Sequence, residues 1–461
     1  MKICLINPPI IQSVAQKATA YPQLEMAYIA AVLEKHHDVI IIDSVAENWK
    51  SVERIDEKNY RSGLSNEEMI KRVTSCRPDV VIIQVMYGGR VQAGFEVASL
   101  VKEIDNRIIT VFHGLYPSTR QLACLSNPDI DFVVRGEPEY TLLELVNVLE
   151  KGNSGSLEKV RGISYVKSGE ATDNPSRPVI EDLDSLPFPA RHLLPMNAYF
   201  EAGTENPFGM GRAHKRYTPM LTSRGCPQAC IFCFYHIMMG RKWRGRSPEN
   251  VLAEIEQLVW TYDIEQINFS DINMSHDGNR MEKICDLMIE RDLNMEWFVP
   301  QGLRADTLDG RLLNKMRKAG CRGFCVAPES GVQRVVDRIK KNMDLKAVEN
   351  AVTLASKEGI DTRAYFIFGF PGETKEDMEK TIEFARKLKR LGTKHFLFNI
   401  ATPIFGTELY ELARQEGLLK ETRGNGISDN VYPSIETAEF SPAYLREICL
   451  QANKSMNRVE K

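Results

Sequence analysis

The sequence predicts an α/β protein made of two successive parallel-sheet domains, a doubly wound one followed by a partial barrel of six β-α units. Three observations predict it. Short β-branched apolar runs alternate with amphipathic stretches from residue 1 to 150, the alternation resumes from 217 to 401, and a proline-broken stretch without helical period separates the two. At 461 residues the chain exceeds one ordinary core, so several domains are expected. The boundaries expected are a doubly wound domain at 1–150, a wrapping linker at 151–215, the barrel at 216–404 and a small carboxyl-terminal region at 405–461.

In the first domain five strands are predicted, Lys2–Ile6, Val39–Asp43, Val80–Gln84, Ile108–His113 and Phe132–Arg135, with helices near 24–35, 91–104, 118–125 and 139–150. A doubly wound sheet binds its ligand beyond the carboxyl ends of its strands. Asn7-Pro8-Pro9, Gln84 to Gly89, His113-Gly114 and Gly136-Glu137 fall there. In the linker a hairpin is expected around Ile163–Val166, and the prolines of the Leu186-Pro187-Phe188-Pro189 stretch forbid a long helix.

In the second domain strands are expected near 217–223, 265–270, 296–300, 323–328, 362–368 and 395–401, with helices between them. Ser247-Pro248-Glu249 is a helix start, and Leu252, Ile255, Leu258, Val259 and Tyr262 then share one face. Thr374 to Asp377 opens another helix as a capping box, and Gly320 and Gly359 stand where carboxyl-terminal caps are wanted. Six such units make three-quarters of a TIM barrel, whose chemistry belongs on the loops after the strands.

Composition narrows the class. With 43% apolar and 26% charged residues the chain is ordinary globular material, and no run approaches the ~18 apolar residues that span a bilayer. The apolar run that opens the chain turns into Asn7-Pro8-Pro9 too early for an export signal, so a cytoplasmic location is expected. A net charge of −3 argues against a nucleic-acid partner, and the basic run Arg241 to Arg246 reads as a solvated loop or a local contact patch. Ten cysteines are scattered apart from one cluster, which favours a metal or redox site over a disulfide framework. Cys4, Cys76 and Cys124 read as buried thiols, and Cys321 and Cys325 as core packing.

That cluster is Cys226-Pro227-Gln228-Ala229-Cys230-Ile231-Phe232-Cys233, directly after the first barrel strand. Three thiolates on one short loop can hold a 4Fe-4S cluster and leave its fourth iron open to a substrate. The rival is a tetrahedral zinc site completed by His236, but structural zinc sites space their ligand pairs by a dozen or more residues.

Cys-x3-Cys-x2-Cys in this position resembles the radical S-adenosylmethionine superfamily. The resemblance implies a 4Fe-4S cluster on Cys226, Cys230 and Cys233, with Phe232 packing against adenine. It also implies S-adenosylmethionine contacts at the strand-end motifs: Asp271 near the methionine amino group, Glu329 and Ser330 near the ribose or carboxylate, and Gly369, Pro371, Gly372 and Glu373 near adenine. Carboxylates suit an ammonium and a diol, and glycines let backbone approach a flat base, although a plain turn explains the glycines as well. Arg304-Ala305-Asp306 meets substrate or cofactor, or forms a surface ion pair.

Leu5 to Pro9, Val134 to Glu139, Leu186 to Arg191 and Thr222 to Cys226 resemble the subgroup with an amino-terminal cobalamin-binding domain. The fold implied is a Rossmann-like domain of the cobalamin-binding type followed by a partial (β/α)6 TIM barrel, with cobalamin contacts at Asn7, Pro8, Gln84, His113, Gly114, Gly136 and Glu137. Here the loop after the first strand carries no histidine to ligate cobalt. Gln84-Val85-Met86 also replaces the usual Ser-x-Leu, and His113-Gly114 the usual Gly-Gly. His113 then closes the tail pocket, or contacts the corrin or cobalt.

The function implied is reductive cleavage of S-adenosylmethionine to a 5′-deoxyadenosyl radical, in a cobalamin-dependent methyltransferase acting on an unactivated carbon. A non-methylating dehydratase, cyclase or rearrangement enzyme with an empty or differently used cobalamin-like domain is the alternative, and a non-catalytic metal-binding sensor or carrier the alternative of another class. The partners expected are a small-molecule substrate and a low-potential donor such as flavodoxin or ferredoxin. No residue is assigned as a general acid or base.

Overall fold

A computed structural model describes residues 1–12, 18–57, 59–86, 88–152, 154–202, 216–293, 295–420 and 434–457. Residue 87 of the strand-end segment 84–89, 203–215 of the expected linker, and 421–433 and 458–461 of the carboxyl-terminal region lie outside the described residues. The described residues divide into two compact units, 1–202 with 237–240, and 216–236 with the rest from 241 on.

The first unit is built on seven strands: β1 (Lys2–Asn7), β2 (Asp38–Asp43), β3 (Val80–Gln84), β4 (Ile109–His113), β5 (Phe132–Val134), β6 (Ile163–Lys167) and β7 (Glu170–Asp173). They lie in the order β7-β6-β5-β4-β3-β1-β2. The first five are parallel, and β6 and β7 add an antiparallel hairpin to the β5 edge. The five predicted strands are present within a residue at each end. The hairpin is present too, but it continues the sheet, so the described part of the expected linker belongs to this unit.

Helices α1 (Leu24–Leu33), α2 (Asn66–Cys76), α3 (Arg90–Ile104) and α4 (Glu139–Glu150) accompany the strands. Every residue of α1 except Glu25 is buried. The region expected to be one helix at 118–125 is two short ones, Leu115–Thr119 and Gln121–Leu125. α2 was not anticipated, although Ser65 and Glu68 form a complete capping box at its start. The core side chains of β1, β3 and β4, such as Ile6, Ile83 and Phe112, pack with Val73 of α2 and Val97 of α3.

The second unit has six parallel strands in chain order: β8 (Tyr217–Met220), β9 (Gln266–Phe269), β10 (Glu296–Val299), β11 (Cys321–Glu329), β12 (Asp361–Phe368) and β13 (His395–Ile400). Between and after them run α5 (Pro248–Tyr262), α6 (Gly278–Glu290), α7 (Gly310–Lys318), α8 (Leu345–Lys357), α9 (Lys375–Leu391), α10 (Glu408–Gln415) and α11 (Pro442–Met456). Ser247 caps α5 by accepting from Asn250 N at 3.1 Å, and Thr374 and Asp377 cap α9 reciprocally. After α7 the chain turns through Gly320 at φ +98°, where a Cβ would stand 2.0 Å from Met295 O, so only glycine fits. On β12 Thr362, Ala364, Phe366 and Phe368 are buried beneath the helices, and Phe366 stacks on Phe398 of β13 at 5.0 Å.

All ten cysteines are free thiols. Among the described residues no helix is long and apolar enough to cross a membrane.

Candidate active site

The cysteine loop leaves the end of β8 and is pinned at its root. Ser223–Arg224 pairs antiparallel with Arg244–Gly245, closing the segment that carries Cys226, Cys230 and Cys233. Asp271, two residues past β9 and fully buried, accepts from Thr222 N at 3.0 Å, Thr222 Oγ1 at 2.7 Å and Ser223 Oγ at 2.5 Å. Its carboxylate is thus committed to the loop and is not presented to a methionine ammonium. Arg280 of α6 donates to Thr222 O and Arg246 O, both at 2.6 Å.

The basic run proves to be scaffold. Arg244 and Arg246 are buried, and Arg246 pairs with buried Glu254 and donates to Leu221 O at 2.8 Å. At the tip Ile231 N donates to Ile339 O at 3.1 Å and Ile231 O accepts from Leu409 N at 2.8 Å.

Burial pushes the Cys230 thiol up and the Cys233 thiol to about 11, so uptake of iron must displace their protons. Asn273 Nδ2 lies 3.8 Å from Cys226 Sγ. Among the described residues no three His, Cys, Asp or Glu side chains close on one ion-sized point. A cubane holds its thiolates farther apart than a single ion does.

Two of the segments expected near adenine lie side by side. The Phe232 ring lies 5.5 Å from that of Phe370, inside the turn Gly369 to Glu373. Glu373 closes that turn by accepting from Gly369 N at 2.6 Å and Phe370 N at 3.1 Å, and its other oxygen is buried without a partner among the described residues. Burial raises its carboxyl to about 7. Gly369 and Gly372 have φ of +96° and +77°, which explains both glycines locally, while Pro371 stands between them.

Ser330 is buried and bonded at 3.1 Å to Thr381 of α9, so it fastens the strand end to a helix. Glu329, in the left-handed region at φ +64°, accepts from Lys341 Nζ at 2.6 Å. Arg304 forks onto Asp306 at 2.9 and 2.6 Å, and also donates to Asn342 O at 2.7 Å, so it is more than a surface pair. Lys341 and Asn273 are neighbours of the thiols that the sequence reading missed, because neither belongs to a strand-end motif it used.

In the first unit, neighbouring strands bring Asn7, Gln84 and His113 to the same edge of the sheet, with Gln84 and His113 in register. Asn7 Nδ2 donates to Asp43 Oδ1 at 2.7 Å, and Tyr199 OH to Asp43 Oδ2 at 2.7 Å. Gln84 Nε2 donates to Glu25 Oε2 at 3.1 Å, and His113 Nδ1 lies 3.5 Å from Glu25 Oε1. Asn7 Oδ1, Gln84 Oε1 and both His113 nitrogens are buried without a hydrogen-bond partner among the described residues. Buried polar atoms left this way are costly unless a bound group satisfies them.

Pro8 is buried beside this row. At Gly114 (φ +118°) a Cβ would stand 2.6 Å from Val85 O. Gly136 takes φ +73°, and Glu137 accepts from Ile180 N at 2.7 Å, which ties it to the chain and not to an open site.

A cysteine triad after the first strand of a six-stranded parallel barrel, joined to a doubly wound unit with an unsatisfied strand edge, defines an iron–sulfur enzyme with a second ligand domain. Residues 220–385 match the radical SAM superfamily, and residues 14–146 match the B12 binding domain. An uncharacterized methyltransferase of Pyrococcus horikoshii is 34% identical over 91% of this chain and 84% of its own length. The cytidylyl-2-hydroxyethylphosphonate methyltransferase of Streptomyces wedmorensis is 29% identical over 97% and 89%. An anaerobic magnesium-protoporphyrin IX monomethyl ester cyclase of Rubrivivax gelatinosus is 28% identical over 84% and 66%.

The structure of the radical S-adenosylmethionine methyltransferase TsrM from Kitasatospora setae, with cobalamin and a 4Fe-4S cluster bound, shares the fold. Its TM-score is 0.75 at 17% identity, over 99% of this chain and 90% of that one. The chain belongs to the radical S-adenosylmethionine superfamily, in the subgroup with a B12 binding domain. Its cofactors are a 4Fe-4S cluster, S-adenosylmethionine and cobalamin. The residues present fit them: three thiols on one short pinned loop for the cluster, the Glu373 and Asn273 oxygens left without a hydrogen-bond partner among the described residues, and the unsatisfied strand edge for cobalamin.

Proposed function

We propose that this enzyme is a cobalamin-dependent radical methyltransferase acting on an unactivated carbon of a small-molecule substrate. The observation that carries the reading is the row of Asn7 Oδ1, Gln84 Oε1 and the two His113 nitrogens, buried without a hydrogen-bond partner among the described residues, on a chain that also carries the cysteine triad. Two relatives named as methyltransferases, similar over 91% and 97% of this chain, point the same way. When bound, the cluster and S-adenosylmethionine supply a hydrogen-abstracting radical, and cobalamin supplies the methyl group.

The chain's own residues bind, orient and exclude water. Cys226, Cys230 and Cys233 hold iron, and Asp271 fixes the root of their loop. Phe232, Phe370 and the turn at Gly369, Pro371, Gly372 and Glu373 offer a flat face to adenine, while Glu329 flanks the ribose and Ser330 fastens the strand end that carries it. Phe298, Cys325 and Tyr365 pack together on β10 to β12 and keep that part of the barrel dry. Asn7, Pro8, Gln84, His113 and Gly114 receive cobalamin at the strand edge, with Gly136 and Glu137 shaping the loop beside it. The enzyme works in the cytoplasm with a low-potential donor such as flavodoxin or ferredoxin.

The cyclase relative supports a second reading, a ring closure or rearrangement through the same radical. Anaerobic reconstitution with iron, sulfide and hydroxocobalamin, followed by single-turnover assay of the S-adenosylmethionine fragments, separates the two. Methyl transfer gives S-adenosylhomocysteine together with 5′-deoxyadenosine. 5′-Deoxyadenosine alone, with no S-adenosylhomocysteine, sinks the methyltransferase reading and favours the second.

A further inference from the structure

We propose that Lys341 sets the reduction potential of the cluster on Cys226, Cys230 and Cys233, its buried ammonium favouring the reduced state. The proposal rests on the cluster reading of that loop and goes beyond it by giving a role to a residue outside every motif used above.

Lys341 is a lysine in the wrong place for a surface charge. Its side chain is 15% exposed and its Nζ lies 2.6 Å from Glu329 Oε1, itself buried. The backbone that aims it is strained. Among the described residues seven that are not glycine have positive φ, and three of them belong to this ion pair or flank it: Glu329 at +64°, Lys340 at +56° and Asn342 at +49°. The turn is held by Arg304, which donates to Lys341 O at 3.3 Å and Asn342 O at 2.7 Å, and by Lys340 on Glu408 at 2.5 Å. Conformations of that kind persist only where surrounding contacts enforce them, and here the contacts present one ammonium inward.

It is presented to the thiols. Nζ lies 6.0 Å from the centre of the Phe232 ring, the residue between Cys230 and Cys233 that is expected to face the cofactor. At Cys230 the pull of Lys341 exceeds the opposing push of Glu329, and Lys341 acts on Cys233 as well. The end of the ion pair that lies over the Phe232 ring, between Cys230 and Cys233, is the ammonium. Arg304 also acts on Cys230, but its charge is closed by the two-pronged bond to Asp306.

The consequence is electrostatic. Reduction takes one electron from a flavodoxin- or ferredoxin-type donor onto the cluster, with no bond broken and no proton moved, and adds one negative charge beside Lys341. A fixed cation in a water-poor site stabilises the more negative state and makes the electron easier to deliver. Lys341 acts through the cluster and touches no reacting atom.

The test is an EPR-monitored redox titration of the anaerobically reconstituted full chain, without substrate, in wild type and in the Lys341→Met, Lys341→Arg and Glu329→Gln variants. Lys341→Met is expected to lower the midpoint. At a fixed poise the ratio of reduced to oxidised cluster should fall about tenfold, which is 59 mV for one electron. Lys341→Arg keeps the charge and restores most of the loss. Glu329→Gln removes the opposing charge and shifts the midpoint upward, which keeps the proposal open to test even if Lys341→Met fails to load. Variants that load like wild type and keep its midpoint overturn this role alone. A wild type that takes up no iron and sulfide overturns the cluster reading and this role with it.

Discussion

At Asp271 both carboxylate oxygens are occupied by Thr222 and Ser223, and burial raises its carboxyl above the usual range. Replacing it with Ala strands the Thr222 and Ser223 donors, each loss costing about 1–3 kcal/mol. Asp271→Ala is therefore expected to lower iron content after reconstitution, read by iron and sulfide analysis, before it affects cobalamin uptake. Glu373 gives a pH signature. Its carboxyl is raised to about 7 in the folded chain, so the folded state keeps a proton that the unfolded chain releases near pH 4.5. The stability this contributes is complete below pH 4.5 and is lost as pH rises to 7, a change of up to about 3 kcal/mol. The melting midpoint of wild type should thus fall from pH 5 to 7.5 more than that of Glu373→Gln; parallel profiles would refute the assignment. His113 is the third case. Its nitrogens have no hydrogen-bond partner among the described residues, Nδ1 standing 3.5 Å from Glu25 Oε1, so His113→Ala should weaken hydroxocobalamin binding about tenfold in equilibrium dialysis, the worth of one hydrogen bond to a bound group. These side chains were legible to different depths. The cysteines announce themselves by spacing, and Phe232 by its place between them. Lys341 lies more than a hundred residues further along and is brought to the thiols only by a strained turn that no periodicity records.

Strands and helices were legible where one face is buried and the other is not, as on α5 or β12, because burial then writes a period into the sequence. α1 has no such stripe, since it is buried on nearly all sides. α11 was the harder case. Its function is read from two asparagines one turn apart at the barrel edge. Asn453 accepts from Phe398 N at 3.0 Å and donates to Phe398 O at 2.9 Å, and Asn457 does the same to Phe396 N at 3.0 Å and Phe396 O at 2.8 Å. β13 is the last strand of its sheet, and these amides stand in for the strand that a closed barrel would supply. The described part of the carboxyl-terminal region at 405–461 therefore contains an edge cover. Asn453→Ala and Asn457→Ala should each cost about 1–3 kcal/mol and speed amide exchange at Phe398 and Phe396 respectively. Unchanged exchange at those two amides would show that the strand does not need the cover. A sequence states that an asparagine is present; that its amide meets a strand edge depends on which helix packs there.

The whole chain combines two sheets that each carry their ligand groups at strand ends, and in each the groups come from segments far apart in sequence. Asn7, Gln84 and His113 share one edge because β1, β3 and β4 are neighbours, whereas Cys226 and Asp271 follow β8 and β9 and Glu329 ends β11. Both alternations were visible in the sequence, as were the motifs that end their strands. The division of labour among those motifs was not: Asp271, Ser330 and Glu137 are spent on fixing the chain, while His113 and Gln84, the residues that depart most from the subgroup pattern, hold the unsatisfied atoms. The positions that depart from the pattern are thus the ones at which a ligand contact is to be tested. Hydrogen exchange with mass-spectrometric readout tests that map on the intact protein. A ligand protects the backbone it orders, by about 2.7 kcal/mol when present at a hundredfold its dissociation constant. Adding hydroxocobalamin to protein lacking the cluster should slow exchange in peptides that cover Asn7, Gln84 to Met86 and His113-Gly114. Loading iron and sulfide should slow it from Thr222 to Cys233 and around Lys341. Cobalamin protection that falls only outside the first set would place that ligand elsewhere and remove His113 from its site, while protection on the first set in wild type that is weakened there in His113→Ala would fix the imidazole as the contact.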